Sequence, residues 1–208
     1  MKQDIGSRRL IMEYLAAVGA VTIETDDTVT EIVDVQALSD CSTLIIPAFI
    51  KRVRFGIVLA EDAYGINKVV MHGDLPDLSF LQWFEQLEDV EILGSKKYYA
   101  QDGLIYDVDG NLVFIPPQKS AKVLEISSAV RVLPATLNTG FLFVDTLILP
   151  SVVEIEDDVL SGCCVRRIIA PNLMYMGRTA NCPELQSIEA RDDCIFEGFN
   201  YCNKLIRK

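Results

Sequence analysis

Pairs of apolar residues separated by one position recur along this chain at a steady interval. They are Val21/Ile23, Leu44/Ile46, Val69/Met71, Val90/Ile92, Leu124/Ile126, Leu147/Leu149, Ile168/Ala170 and Ile188/Ala190. Their first members are 23, 25, 21, 34, 23, 21 and 20 residues apart, the range in which one strand and one return segment make one coil of a leucine-rich solenoid. Side chains alternate faces along a strand, so both members of a pair enter the coil and the residue between them faces out. One unit of about 20 residues cannot cover its own apolar face, and stability must come from stacking on neighbouring units. The pattern predicts one domain: a solenoid of about eight turns over residues 21–208.

The 34-residue interval holds an insertion. Leu104-Ile105-Tyr106-Asp107-Val108 and Asn111-Leu112-Val113-Phe114-Ile115 are alternating, β-prone runs joined by Asp109-Gly110. Glycine accepts the positive φ of a tight hairpin turn, so a β-hairpin insertion is expected over 98–118. Two helices are expected as well, which makes the expected fold class an α/β repeat. Ser7 precedes a run with Leu10, Ile11, Tyr14, Leu15 and Val18 on one helical face and Gly19 just beyond. That is an N-cap and a glycine stop, and it predicts a capping helix within residues 1–20. Leu78, Leu81, Trp83, Phe84 and Leu87 suit a second helix covering the convex side of the coils.

A short phrase also repeats: Ala37-Leu38-Ser39-Asp40-Cys41, Val159-Leu160-Ser161-Gly162-Cys163 and Gly198-Phe199-Asn200-Tyr201-Cys202. The unit Leu147-Ile148-Leu149-Pro150, then Ile155, then Val159 to Cys163 resembles the repeat of the BspA-like leucine-rich repeat family. That repeat runs strand, Pro, apolar, Ala-Phe-Ser-Gly-Cys. Residues 102–117 are similar to a hairpin insertion common in the same family, and the resemblance covers about Tyr98 to Lys208. Units near Met71 and Ile92 lack the cysteine phrase, and the unit ending at Cys182 is shortened. The resemblance implies a curved, right-handed solenoid used for protein binding, often on bacterial or protist cell surfaces, and no enzymatic activity.

Half of the 208 residues are hydrophobic, yet no apolar run approaches the roughly 18 residues of a transmembrane helix, and no membrane partner is expected. Asp4, Arg8, Arg9 and Glu13 interrupt any apolar stretch of an export signal, so the chain's own residues predict the cytoplasm, against the surface location the resemblance implies. The net charge of −11 repels nucleic-acid phosphate, and direct nucleic-acid binding is not expected. An acidic face also suits the opposite role, an inhibitor or nucleic-acid mimic of the phage or mobile-element type that blocks a host protein.

Six cysteines raise sharper possibilities. Cys41, Cys163, Cys182 and Cys202 fall at or near the repeat phrase, where a small buried side chain is wanted, so they read as a structural ladder of free thiols. The adjacent Cys163 and Cys164 are a rival redox pair, with one expected to point in and the other out. No C-x-x-C occurs and His72 is the sole histidine, so no metal site, cofactor or catalytic triad is predicted. Asp107-Val108-Asp109-Gly110-Asn111 departs from a calcium loop because Leu112 stands where glycine is needed and Gln118 where a glutamate is needed. The chain is expected not to be an enzyme.

What remains is binding of another protein on the strand-lined concave face, on the projecting hairpin, or on both. The outward residues are Thr22, Ile45, Val70, Glu91, Glu125, Ile148, Ile169 and Glu189, flanked by Lys68, Asp89, Thr146, Arg167 and Arg191. Ile45, Val70, Glu91, Glu125, Ile148, Arg167, Ile169 and Glu189 are the candidate contact residues. Ile148 and Ile169 with Arg167 beside them make an apolar patch with a charged rim, the composition of an interface centre. Two exposed β-branched residues also simply suit strands, and at this point both readings stand. The final Asn203 to Lys208, where another strand would begin, suggests a homodimer through the solenoid edge.

Overall fold

The apolar pairs form parallel strand ladders, as their spacing requires. The structure, a computed structural model, describes residues 20–25, 28–35, 42–53, 65–137, 143–200 and 206–207, with 20–25, 28–35, 200 and 206–207 as backbone alone. The chain divides into two compact units, Met1–Lys96 and Lys97–Lys208. The capping helix expected within 1–20, Cys41 and Cys202 lie outside the described residues.

In the first unit β1 (Ala20–Thr25) and β2 (Thr28–Val35) pair antiparallel, from Ala20 opposite Val35 to Thr25 opposite Thr28. This corrects the reading of Val21/Ile23 as the first coil. The run Thr28–Val35 alternates in the same way and is separated from Thr25 by only two residues, so closing a hairpin costs less loop entropy than the 20-residue return from Ile23 to Leu44. Three coil strands follow the expected pattern. In β3 (Thr43–Ile46), β5 (Lys68–His72) and β6 (Asp89–Leu93), Leu44, Val69 and Val90 are in register, as are Ile46, Met71 and Ile92. All but the half-buried Ile92 are buried. Between β3 and β5 the short β4 (Arg52–Val53) adds in parallel to β2.

The helix expected over 78–87 is instead a 3₁₀ turn at Ser79–Trp83. Leu81 N–H donates to Leu78 O at 3.0 Å, Phe84 N–H to Leu81 O at 3.2 Å and Leu87 N–H to Phe84 O at 3.0 Å. Each of these N–H groups reaches a carbonyl three residues back, the bonding of the tighter helix and not of the α-helix, while Phe80, Leu81, Phe84 and Leu87 are buried. Trp83, expected among the covering residues, is 49% exposed.

The second unit opens with a three-stranded antiparallel meander, β7 (Tyr98–Gln101), β8 (Leu104–Asp107) and β9 (Leu112–Phe114). The expected hairpin is its second half, and β7 is an addition. Asp102 and Gly103 both have positive φ, 52° and 76°, as a two-residue hairpin turn demands. Five in-register parallel strands follow: β10 (Ser120–Glu125), β12 (Phe143–Ile148), β14 (Arg167–Ile169), β17 (Ser187–Glu189) and β20 (Ile206–Arg207). Beside them run β11 (Val132–Leu133), β13 (Glu154–Ile155), β15 (Tyr175–Met176) and β18 (Ile195–Phe196), a second parallel sheet that sequence reading missed. A third ladder joins β16 (Thr179–Ala180) to β19 (Phe199–Asn200). Leu124, Leu147, Ile168 and Ile188 line one continuous core with Leu133, Ile155 and Met176, and the meander adds Leu104, Tyr106 and Leu112. Among the described residues no helix is long and apolar enough to cross a membrane.

Candidate partner-binding face

Strand register converts the outward residues into rows. In the first unit Ile45, Val70 and Glu91 are neighbours across β3, β5 and β6, and Ile45 is 37% exposed. Lys68 sits beside them, hydrogen-bonded to Glu91 and 3.1 Å from Asp89. Glu91 and then Asp89 hold its ammonium pKa above the usual lysine value. Thr22 is not part of this row, because its strand belongs to the antiparallel hairpin.

In the second unit Glu125, Ile148, Ile169 and Glu189 form one row across β10, β12, β14 and β17. The row beside it is Val123, Thr146, Arg167 and Ser187. Arg167 donates to Glu189, and Arg166 lies 3.4 Å from Asp145. Arg167 and Glu189 thus compensate one another beside half-buried Ile148 and Ile169, which lie side by side at the centre of the row with the Glu125 carboxylate at its other end. Exposed Val123 and Phe143 extend the apolar surface along β10 and β12. Arg191 belongs to a turn, where its guanidinium pairs with Asp193 at 2.7 Å.

The meander is the second candidate surface. Val108 and Val113 are exposed on it, and Tyr99 stacks on Tyr106 with ring centroids 5.3 Å apart. Its β8–β9 turn uses Asp107 as the acceptor. The Asp107 carboxylate takes the Asn111 N–H at 2.8 Å, the Asn111 side-chain amide at 2.9 Å and the Asp109 N–H at 3.0 Å. These bonds, that of the Asn111 side chain foremost, hold the carboxyl below its ordinary pKa. A carboxyl whose folded pKa is depressed contributes stability above its unfolded pKa, and the contribution is lost as pH falls through the folded value. Stability is therefore expected to decline on acidification through the carboxylate range. Asp107→Asn should flatten that limb in urea unfolding measured from about pH 7 to 3, and an unchanged limb would show that the turn does not carry it.

The sheet missed by sequence reading carries its own outward row: Val132, Glu154, Tyr175 and Ile195. Ile195 is 60% exposed, and Met174 beside Tyr175 is exposed as well. Desolvation, then Glu197, Asp157 and Glu154, push the Tyr175 hydroxyl pKa up. The signal was present in the sequence. Leu133, Ile155, Met176 and Phe196 each follow the first member of an apolar pair by eight or nine residues, but a lone apolar residue does not announce a strand of two residues.

Cys163 and Cys182 are buried, as a structural ladder expects, whereas Cys164 and Cys194 are half-buried. Among the described residues no three His, Cys, Asp or Glu side chains converge on a common point for a metal.

The ladders define the class of each unit's coils, a parallel β solenoid. No protein-family model matches the chain, and no curated protein matches it. Three solved structures are similar to it. A leucine-rich repeat protein from Eubacterium ventriosum has 18% identity and a TM-score of 0.45 over 74% of this chain and 37% of that one. A leucine-rich cell surface protein from Faecalibacterium prausnitzii has 11% identity and a TM-score of 0.41 over 72% of this chain and 54% of that one. The pneumococcal vaccine antigen PcpA has 12% identity and a TM-score of 0.43 over 88% of this chain and 62% of that one. In each case the match spans less than two thirds of the other protein's length.

Proposed function

We propose that this chain is a non-catalytic protein-binding repeat module of the BspA-like leucine-rich repeat kind, and that the strand face of its second unit receives the partner. The observation behind this reading is the row Glu125, Ile148, Ile169, Glu189. It sets two adjacent aliphatic side chains between acidic ends, beside an arginine already compensated by Glu189. Such a surface costs little to desolvate at its centre and keeps polar groups at its rim, which is how protein interfaces are built. The first unit's row, Ile45, Val70 and Glu91, and the meander tip are further contact candidates.

The test compares the natural chain with an Ile148→Glu, Ile169→Glu double variant in capture of partners at low and high salt. The expected result is a partner that survives high salt on the natural chain and is lost by the variant. The variant lines up four carboxylates across adjacent strands, so its melting temperature should fall by a few degrees, and capture is measured well below that transition. Binding that persists in the variant but is stripped by salt would overturn the strand-face assignment and favour an acidic inhibitor acting through the net charge of −11.

A further inference from the structure

Two buried thiols meet between consecutive coils. Cys163 closes the turn that leads into β14, Cys182 occupies the matching place before β17, and their Sγ atoms are 3.6 Å apart. Both side chains are fully buried. Cys164, the chain neighbour of Cys163, is half-buried, so the thiol in contact with Cys163 is supplied by the next coil and not by the adjacent residue. The Cys182 thiol also lies 2.9 Å from the Leu160 carbonyl, to which it donates. A disulfide has an S–S distance of about 2.05 Å, so the two sulfurs need to close by about 1.5 Å in total. That is within the reach of side-chain rotation and a small shift of two turns.

We propose that Cys163 and Cys182 are an oxidation site that a peroxide converts into a disulfide stapling two consecutive coils. One thiolate attacks a peroxide oxygen and becomes a sulfenic acid as the O–O bond breaks and hydroxide leaves, taking up a proton to become water. The other thiol attacks the sulfenic sulfur, the S–S bond forms, and a second water departs. In sum two thiols and one hydrogen peroxide give one disulfide and two waters, and the two electrons lost by the sulfurs reduce the O–O bond. The contact with Cys163, together with burial, holds the Cys182 proton well above the ordinary thiol range. Thiolate is therefore scarce in the folded chain. The pair closes slowly and acts as a staple that accumulates under sustained oxidation, not as a rapid sensor. Once one sulfur is oxidised, its partner is already in contact with it, so closure competes well with further oxidation. The staple would tether the segments entering β14 and β17, the strands that carry Ile169 and Glu189. This inference does not depend on that face binding a partner.

The experiment uses the full chain carrying Cys164→Ser, because Cys163 and Cys164 share one tryptic peptide, 132–166, while Cys182 lies in 179–191. The protein is treated with hydrogen peroxide in a time course continued long past complete oxidation of half-buried Cys194, remaining thiols are alkylated in denaturant, and the digest is read by mass spectrometry. The expected result is peptide 132–166 linked to 179–191 within a single chain, two hydrogens lighter than the sum and separated by reductant. The chain should also melt at a higher temperature than its reduced form. In a parallel Cys163→Ala chain, Cys182 should instead end as a sulfinic or sulfonic acid or stay alkylatable. Any of three results would overturn the proposal. These are separate peptides bearing sulfinic or sulfonic acid, both thiols still alkylatable at the end of that prolonged exposure, or Cys182 linked to a different cysteine.

Discussion

Tyr106→Ala is expected to destabilise the second unit by about 3–5 kcal/mol, the range for emptying a buried aromatic site. Tyr106 is fully buried and is the largest such side chain among the described residues. Its ring stacks on Tyr99 at an interplanar angle of 16° and packs in the core formed by Leu124, Ile126 and Leu147. Its hydroxyl accepts the Ser127 N–H at 3.3 Å, tying the meander to the segment after the first parallel strand, and burial raises its pKa. Tyr106→Phe keeps the ring and removes that one long bond, so it should cost only about 1 kcal/mol. Urea unfolding at constant slope separates the two contributions. A Tyr106→Ala cost as small as that of Tyr106→Phe would mean that the meander does not share the coil core.

The second large effect falls on a glycine with an ordinary backbone conformation. A Cβ at Gly177 would lie 2.6 Å from the Asp157 nitrogen and 2.9 Å from its Cα, closer than packed atoms tolerate. Asp157 has little freedom to retreat. Its carboxylate accepts the Arg178 N–H at 2.9 Å and the guanidinium at 3.0 and 2.7 Å, and the next residue's N–H donates to Arg178 O at 2.8 Å. Gly177→Ala should therefore cost about 1–3 kcal/mol, and Gly177→Val more, as overpacking against backbone does. Gly198, 21 residues further on, has nothing within 4 Å of its Cβ position. Gly198→Ala should stay within about 0.5 kcal/mol. Equal melting temperatures for Gly177→Ala and Gly198→Ala would refute the close approach.

Much of this fold was legible because alternation and turn chemistry are local. Leu147/Leu149 and Ile168/Ala170 turn inward wherever a strand is half-buried, and their spacing places Ile148 beside Ile169 once adjacent coils pair in parallel. Asp109-Gly110 marks its turn unaided. Other features were misread for equally physical reasons. Val21/Ile23 looks like a coil pair, but a second alternating run nearby supplies a partner at smaller entropic cost. Leu78–Leu87 has the apolar spacing of an α-helix, with Phe80, Leu81, Phe84 and Leu87 buried, yet its backbone hydrogen bonds span three residues. The β11–β13–β15–β18 sheet escaped notice because two-residue strands have no periodicity to detect.

The sequence by itself determined the coil period, the inward pairs, the outward candidates and the hairpin turn, all of which depend on residues within one coil. Tertiary structure decided the contacts between coils: the division into two units, Glu189 as the acceptor for Arg167, Cys182 and not Cys164 as the neighbour of Cys163, and the crowding of Gly177 but not Gly198. Those outcomes depend on which side chain the adjacent coil presents at a given height. Spacing alone leaves that choice open, because a shift of one residue in the return segment changes every such neighbour while leaving the repeat intact.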